Sequence, residues 1–163
     1  MSCCAKAPGI RVCAEGKDYV AKYLDETTPR IAVAACEGAC TKGEVARVAA
    51  NLVGYRLARN NTVRICLGDA ITASSGFDKL IERSPLVIVV EGCPLCCGTA
   101  LLRKRFAEAT ISPIVATKFY DYDRSKFEIF DLDPNEILEN ANQVAPEILS
   151  LISEGEREAT QTV

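Results

Sequence analysis

The sequence predicts an α/β domain: a mostly parallel sheet of four to five strands, Rossmann-like, with helices on both faces. Three observations carry this expectation. Short apolar runs alternate with segments of helical periodicity, the pattern of strand–helix–strand units. One run, LVIVV at residues 86–90, offers no polar side to water, as a central parallel strand covered on both faces requires. No internal repeat, low-complexity tract or linker divides the 163 residues, so one domain is expected. Right-handed crossovers then place helices on both faces of the sheet.

Each element follows in turn. Residues 1–16 carry Cys3, Cys4 and Cys13 among Gly and Pro and read as an irregular arm, followed by a short helix at 18–24. The IAVAA run at 31–35 is a buried strand that ends in CEGACTKG. A helix over 44–59 sets Val45, Val48, Ala49, Leu52 and Val53 on one face, with Ala46, Ala50 and Gly54 as a row of small residues that lets it approach the sheet. The next strand is expected at 63–67, a short helix at 77–83, and the LVIVV strand runs into EGCPLCCG. A helix over 99–109 follows, then a fourth strand at 114–120 and a fifth at 127–132. Pro134 opens a terminal helix that Pro146 is expected to kink or split.

Composition excludes several classes of function. Nineteen Lys and Arg against 22 Asp and Glu give a net charge of −3 and no general basic footprint, so nucleic acid is not an expected partner. The apolar runs fall far short of the roughly 20 residues of a membrane span, and the N-terminus has no signal-type apolar stretch, so the expected compartment is the cytoplasm. A protein partner or a homo-oligomer is not indicated. The chain has no His, which removes a His general base, a Cys–His pair and every imidazole-ligated zinc site.

What remains is thiol chemistry. Nine cysteines cannot all pair within one chain, and a domain of this size needs no disulfide staples. Position is more informative than number. Cys36, Cys66, and Cys93 with Cys96 and Cys97 each follow a predicted strand, and parallel strands deliver their carboxyl ends to one edge, where such sheets bind ligands. Turns leading into helix N-termini favour thiolate over thiol. Thiolates placed there are metal ligands or nucleophiles. Four around one ion make a closed tetrahedral site, with zinc the leading candidate and an iron–sulfur cluster the alternative.

The segments ACEGACTKGEVARVAA, RICLGD and VIVVEGCPLCCGTALL together resemble the DGC domain family, across about residues 31–118. The resemblance implies zinc chelation by four cysteines, which fall here on Cys36, Cys66, Cys93 and Cys97, with Glu91 where the family has Asp. It implies no reaction. On that reading residues 1–30 are a cysteine-containing arm and short helix, 31–132 the DGC-like metal-binding core, and 133–163 a helical segment. Cys40 and Cys96 stand as alternative ligands or as the nucleophiles of a thiol-dependent redox or sulfur-transfer enzyme. Glu91 and Asp69 are read as partners of turn N–H groups, Lys42 and the Arg103-Lys104-Arg105 run as solvated surface.

Overall fold

Four parallel strands order the molecule as β2-β1-β3-β4, and the reversal of direction between β1 and β3 places a switch point at the centre of the sheet. A computed structural model describes residues 12–72 and 74–161. The strands are β1 (Ile31–Ala35), β2 (Thr62–Arg64), β3 (Val87–Glu91) and β4 (Ile111–Val115). The helices are α1 (Ala14–Leu24), α2 (Thr41–Leu52), α3 (Leu67–Thr72), α4 (Phe77–Arg83), α5 (Cys97–Arg105) and α6 (Pro134–Gln161). A π-helical turn (Val53–Leu57) prolongs α2. Register runs from Ala32 opposite Val87 to Ala35 opposite Val90 on one side of β1, and from Ile31 opposite Thr62 to Val33 opposite Arg64 on the other.

Strand periodicity sorts the core into two layers. Ile31, Val33, Ala35, Ile88, Val90 and Ile114 face α2 and α6. Ala32, Ala34, Val63, Val87 and Val89 face α1, α3, α4 and α5. Every residue of β1, β2 and β3 is buried, as the unbroken apolar runs require. The expected α/β class, mostly parallel sheet and two-faced helix cover are the fold observed, and the sheet has four strands, all of them parallel.

The departures have local causes. The fourth strand lies at Ile111–Val115, three residues ahead of the expected start, because Pro113 is exposed on the edge of the sheet, where a missing N–H is tolerated. The chain then leaves the sheet in a 3₁₀ turn, Ala116–Lys118. No fifth strand forms at 127–132. Asp131 Oδ2 accepts from the N–H groups of Phe127 (2.9 Å) and Glu128 (2.8 Å), and these local bonds close a 3₁₀ turn, Ile129–Asp131, instead of a ladder. The second strand stops at Arg64, and Leu67 opens the unanticipated α3. Pro146 does not divide α6, which runs through 28 residues. Its ring sits on the exposed side, so the carbonyl it leaves free, that of exposed Asn142, faces water.

Candidate thiol site at the carboxyl edge of the sheet

Of the cysteines in the three turns, Cys40, Cys66, Cys96 and Cys97 lie at the beginnings of helices, and Cys36 and Cys93 stay at the strand ends. Cys36 follows β1 and takes its ladder bond from N–H to Val90 O at 2.8 Å. Cys40 is the N-cap of α2, Cys96 the N-cap of α5, and Cys97 the first residue of α5. Cys66 precedes α3, whose Ala70 N–H donates to Cys66 O at 3.0 Å. The helices begin earlier than their periodicity implied, so cysteine, rather than the glycine after it, occupies each start.

Two turns meet at the switch point through bare backbone. A Cβ on Gly92 would stand 2.8 Å from Gly43 N, and one on Gly43 would stand 2.8 Å from Gly38 O. Neither position tolerates a side chain, and that closeness brings the β1–α2 turn against the β3–α5 turn. The third turn joins through Leu67, whose Cδ2 lies 3.4 Å from where a Cβ of Gly98 would be.

Within this frame the thiols fall into neighbouring sets. The sulfurs of Cys36 and Cys40 lie 3.2 and 3.7 Å from the Cβ position of Gly38, so they flank one point, and Gly38 N–H donates to Cys36 Sγ at 3.3 Å. Such a donor stabilises a thiolate. Across the switch point, Cys96 donates weakly from Sγ to Cys93 O at 3.9 Å. Cys96 adopts φ 50°, the only left-handed non-glycine residue among those described. That conformation costs an L-residue on the order of 1 kcal/mol. Burial pushes the Cys96 thiol above its ordinary range, and the negative charge of Glu91, Cys93 and Cys97 adds to the shift against a smaller opposing effect of Lys118. That shift opposes the stabilisation of thiolate expected from its position at a helix start.

Glu91 is spoken for. It is 1% exposed, and one carboxylate oxygen accepts from Thr99 N–H (2.5 Å) and Thr99 Oγ1 (2.7 Å). This anion occupies the N-terminal end of α5, where the helix dipole favours it. Asp69 is likewise a strut: its Oδ2 accepts from Ser75 Oγ at 2.6 Å, and Ser75 Oγ accepts from Cys13 N–H at 2.8 Å. Lys42 is not simply solvated, since its ammonium lies over the Tyr122 ring, 5.1 Å from the centroid.

Cys13 belongs to none of these sets. It caps α1, its sulfur accepting from Gly16 N–H at 3.3 Å. Cys3 and Cys4 lie outside the described residues. Tyr120 is a buried phenol with no hydrogen-bond partner for its hydroxyl among the described residues. Burial pushes its pKa up, with Tyr122 and the nearby Cys40 adding to the shift. Its one signal in the sequence is the aromatic cluster of Phe119, Tyr120, Tyr122 and Phe127, which reads as packing.

As a ligand set, the three turns are rich in sulfur. The buried carboxylate, Glu91, is committed to α5, and no imidazole exists in the chain. The chemistry therefore fits a thiophilic ion. The spacing is not that of a finished cage: among the described residues, no three Cys, Asp or Glu side chains stand close enough together to hold a metal ion. Cys36, Cys66, Cys93 and Cys97 thus share one edge without converging on one point. Coordination by all four requires the turns to close on the ion, a step that metal sites coupled to folding commonly include.

No curated protein and no solved structure matches the chain. A family model does: that of the DGC domain, over residues 32–144, which takes in the sheet, all three cysteine turns and the start of α6. The motif segments, their placement at three strand ends and this match over most of the chain agree, and the protein belongs to the DGC domain family.

Proposed function

We propose that this chain is a thiolate metal-binding protein of the cytoplasm, with Cys36, Cys66, Cys93 and Cys97 as ligands and zinc as the ion. Its role is structural, metal-sensing or metal-handling. The observation that carries the reading is the departure of these four cysteines from three adjacent parallel strands at the switch point of the sheet. When bound, a four-thiolate zinc cross-links its ligands and leaves no open position for hydrolysis.

The chain's own groups support that task. Gly38 N–H donates to Cys36 Sγ and orients that sulfur in its turn. Glu91 fixes the beginning of α5 so that Cys97 is anchored while the preceding turn moves.

Single Cys→Ser substitutions test the ligand set. Cys36→Ser or Cys93→Ser is expected to remove metal from the purified protein, whereas Cys96→Ser keeps it. A full metal complement in every single variant overturns the reading. An iron–sulfur cluster is the alternative occupant of the same ligands, and brown protein containing iron and sulfide would establish it.

A second reading has its own observation. The adjacency of Cys36 and Cys40 around Gly38 suits a thiol-dependent redox or sulfur-transfer enzyme, with Cys40 as nucleophile. Metal content unchanged in Cys40→Ser together with loss of thiol–disulfide exchange would favour it.

A further inference from the structure

The opposite, amino edge of the sheet carries a cavity of about 590 Å³, within the range of small-molecule sites. Four cations line it: Lys22, Arg30, Arg56 and Arg59. In a chain of net charge −3 this is a local excess of positive charge. Cations near helix C-termini ordinarily answer the helix dipole, and Lys22, in the last turn of α1, and Arg56, in the π-helical turn, fit that description. Arg30 and Arg59 do not, because both come from connecting segments.

The four are also unequal. Arg30 is already bound, bidentate to Glu26 at 2.6 Å for each bond and donating to Arg59 O at 2.6 Å. Its guanidinium lies on the Tyr23 ring, 4.8 Å from the centroid. It forms a rigid floor. Lys22, Arg56 and Arg59 have no carboxylate partner within salt-bridge distance among the described residues and are left to face the cavity. One carboxylate, Glu156, also lines the space; it accepts from Asn61 Nδ2. Lys22 also lies over the Tyr23 ring, 5.5 Å from the centroid. Three cations without a carboxylate partner, against one engaged anion, leave room for a multiply charged ligand.

A second cavity of about 630 Å³ adjoins the first, sharing Arg30, Asn60, Asn61 and Glu156. Its other walls include the uncharged Thr27, Pro29, Ile31 and Pro85 together with Glu26, whose carboxylate is paired with Arg30. From this pairing of a cationic cleft with one whose charges are already engaged, we infer that the amino edge binds a phosphorylated small molecule, its phosphate against Lys22, Arg56 and Arg59 and its uncharged part in the adjoining cleft. The site is distinct from the cysteines and does not rest on their proposed role.

Calorimetric titration of the full chain at low salt, with inorganic phosphate, pyrophosphate, inorganic triphosphate and ATP as probes, tests the inference. ATP and pyrophosphate are expected to bind more tightly than phosphate, and to weaken as salt is raised. Arg56→Ala and Arg59→Ala each lower affinity about tenfold, the usual loss of one charge-assisted hydrogen bond, while Lys104→Ala, on the exposed face of α5, changes nothing. ATP binding more tightly than inorganic triphosphate, the control of equal phosphate number, shows use of the adjoining cleft; equal binding reduces the ligand to the anion alone and overturns that half of the inference. If either arginine variant fails to fold, Lys22→Gln reads the same cleft. Absence of binding by all four probes at millimolar concentration, or affinity untouched by the Arg56, Arg59 and Lys22 substitutions, overturns the site.

Discussion

The two edges of one sheet are built on opposite terms. At the carboxyl edge, backbone meets backbone: Gly38, Gly43 and Gly92 stack so closely that the turns carrying the sulfurs are pressed together. At the amino edge the chain leaves clefts of about 590 and 630 Å³ and surrounds one of them with cations. A closed edge rich in sulfur suits an ion, which needs donors and little volume. An open edge rich in guanidinium suits an organic anion, which needs both.

The largest expected effect comes from spoiling the closed edge. Gly92→Ala places a methyl 2.8 Å from backbone atoms of Lys42 and Gly43 and is expected to destabilise the fold by about 3 kcal/mol, at the upper end of overpacking costs. It should also abolish metal uptake. At the open edge, Asn60→Ala removes an exposed side chain that makes no hydrogen bond among the described residues and is expected to change stability by less than about 0.5 kcal/mol. Urea unfolding of both variants compares the edges directly. Equal losses would dissolve the contrast.

Glu91→Ala comes next. It strips the buried anion from Thr99 N–H and Oγ1, at an expected cost of about 2 kcal/mol, again by urea unfolding. If the loss is negligible, Glu91 is not the anchor of α5. Pro146→Ala should act in the other direction, raising the melting temperature by restoring one hydrogen bond on the exposed side of α6, about 1 kcal/mol or somewhat more.

The smallest effect concerns Cys96. A raised thiol pKa means less thiolate at a given pH, so Cys96 should alkylate more slowly than exposed Cys66 at pH 8 in metal-free protein, and its rate should keep rising at higher pH. Mass mapping of iodoacetamide adducts reads this. Cys96 alkylating fastest would restore it as an activated nucleophile.

Much of the closed edge was legible in the sequence. LVIVV could only be a covered strand, and three strands ending in cysteine implied a shared edge, because parallel strands align their carboxyl ends. The contacts that set the sulfur spacing were not legible. Gly43 meets Gly92 only because β1 and β3 are neighbours, and strand order is a tertiary fact. The left-handed Cys96 is equally invisible, since nothing in PLCCG distinguishes it from its neighbour. The failed fifth strand shows the limit of periodicity: FEIFDL alternates well enough, yet the Asp131 carboxylate captures two N–H groups that a ladder would need. The open edge left no trace at all, because Lys22, Arg30, Arg56 and Arg59 come from three separate stretches and form no motif.

The central claim is the four-thiolate site, and the most direct measurement is metal content with a thiol count, before and after chelation, on protein purified without oxygen. The account predicts about one colourless zinc per chain and release of the four thiols of Cys36, Cys66, Cys93 and Cys97 on chelation. Protein free of metal, with all nine cysteines already reactive, would contradict it.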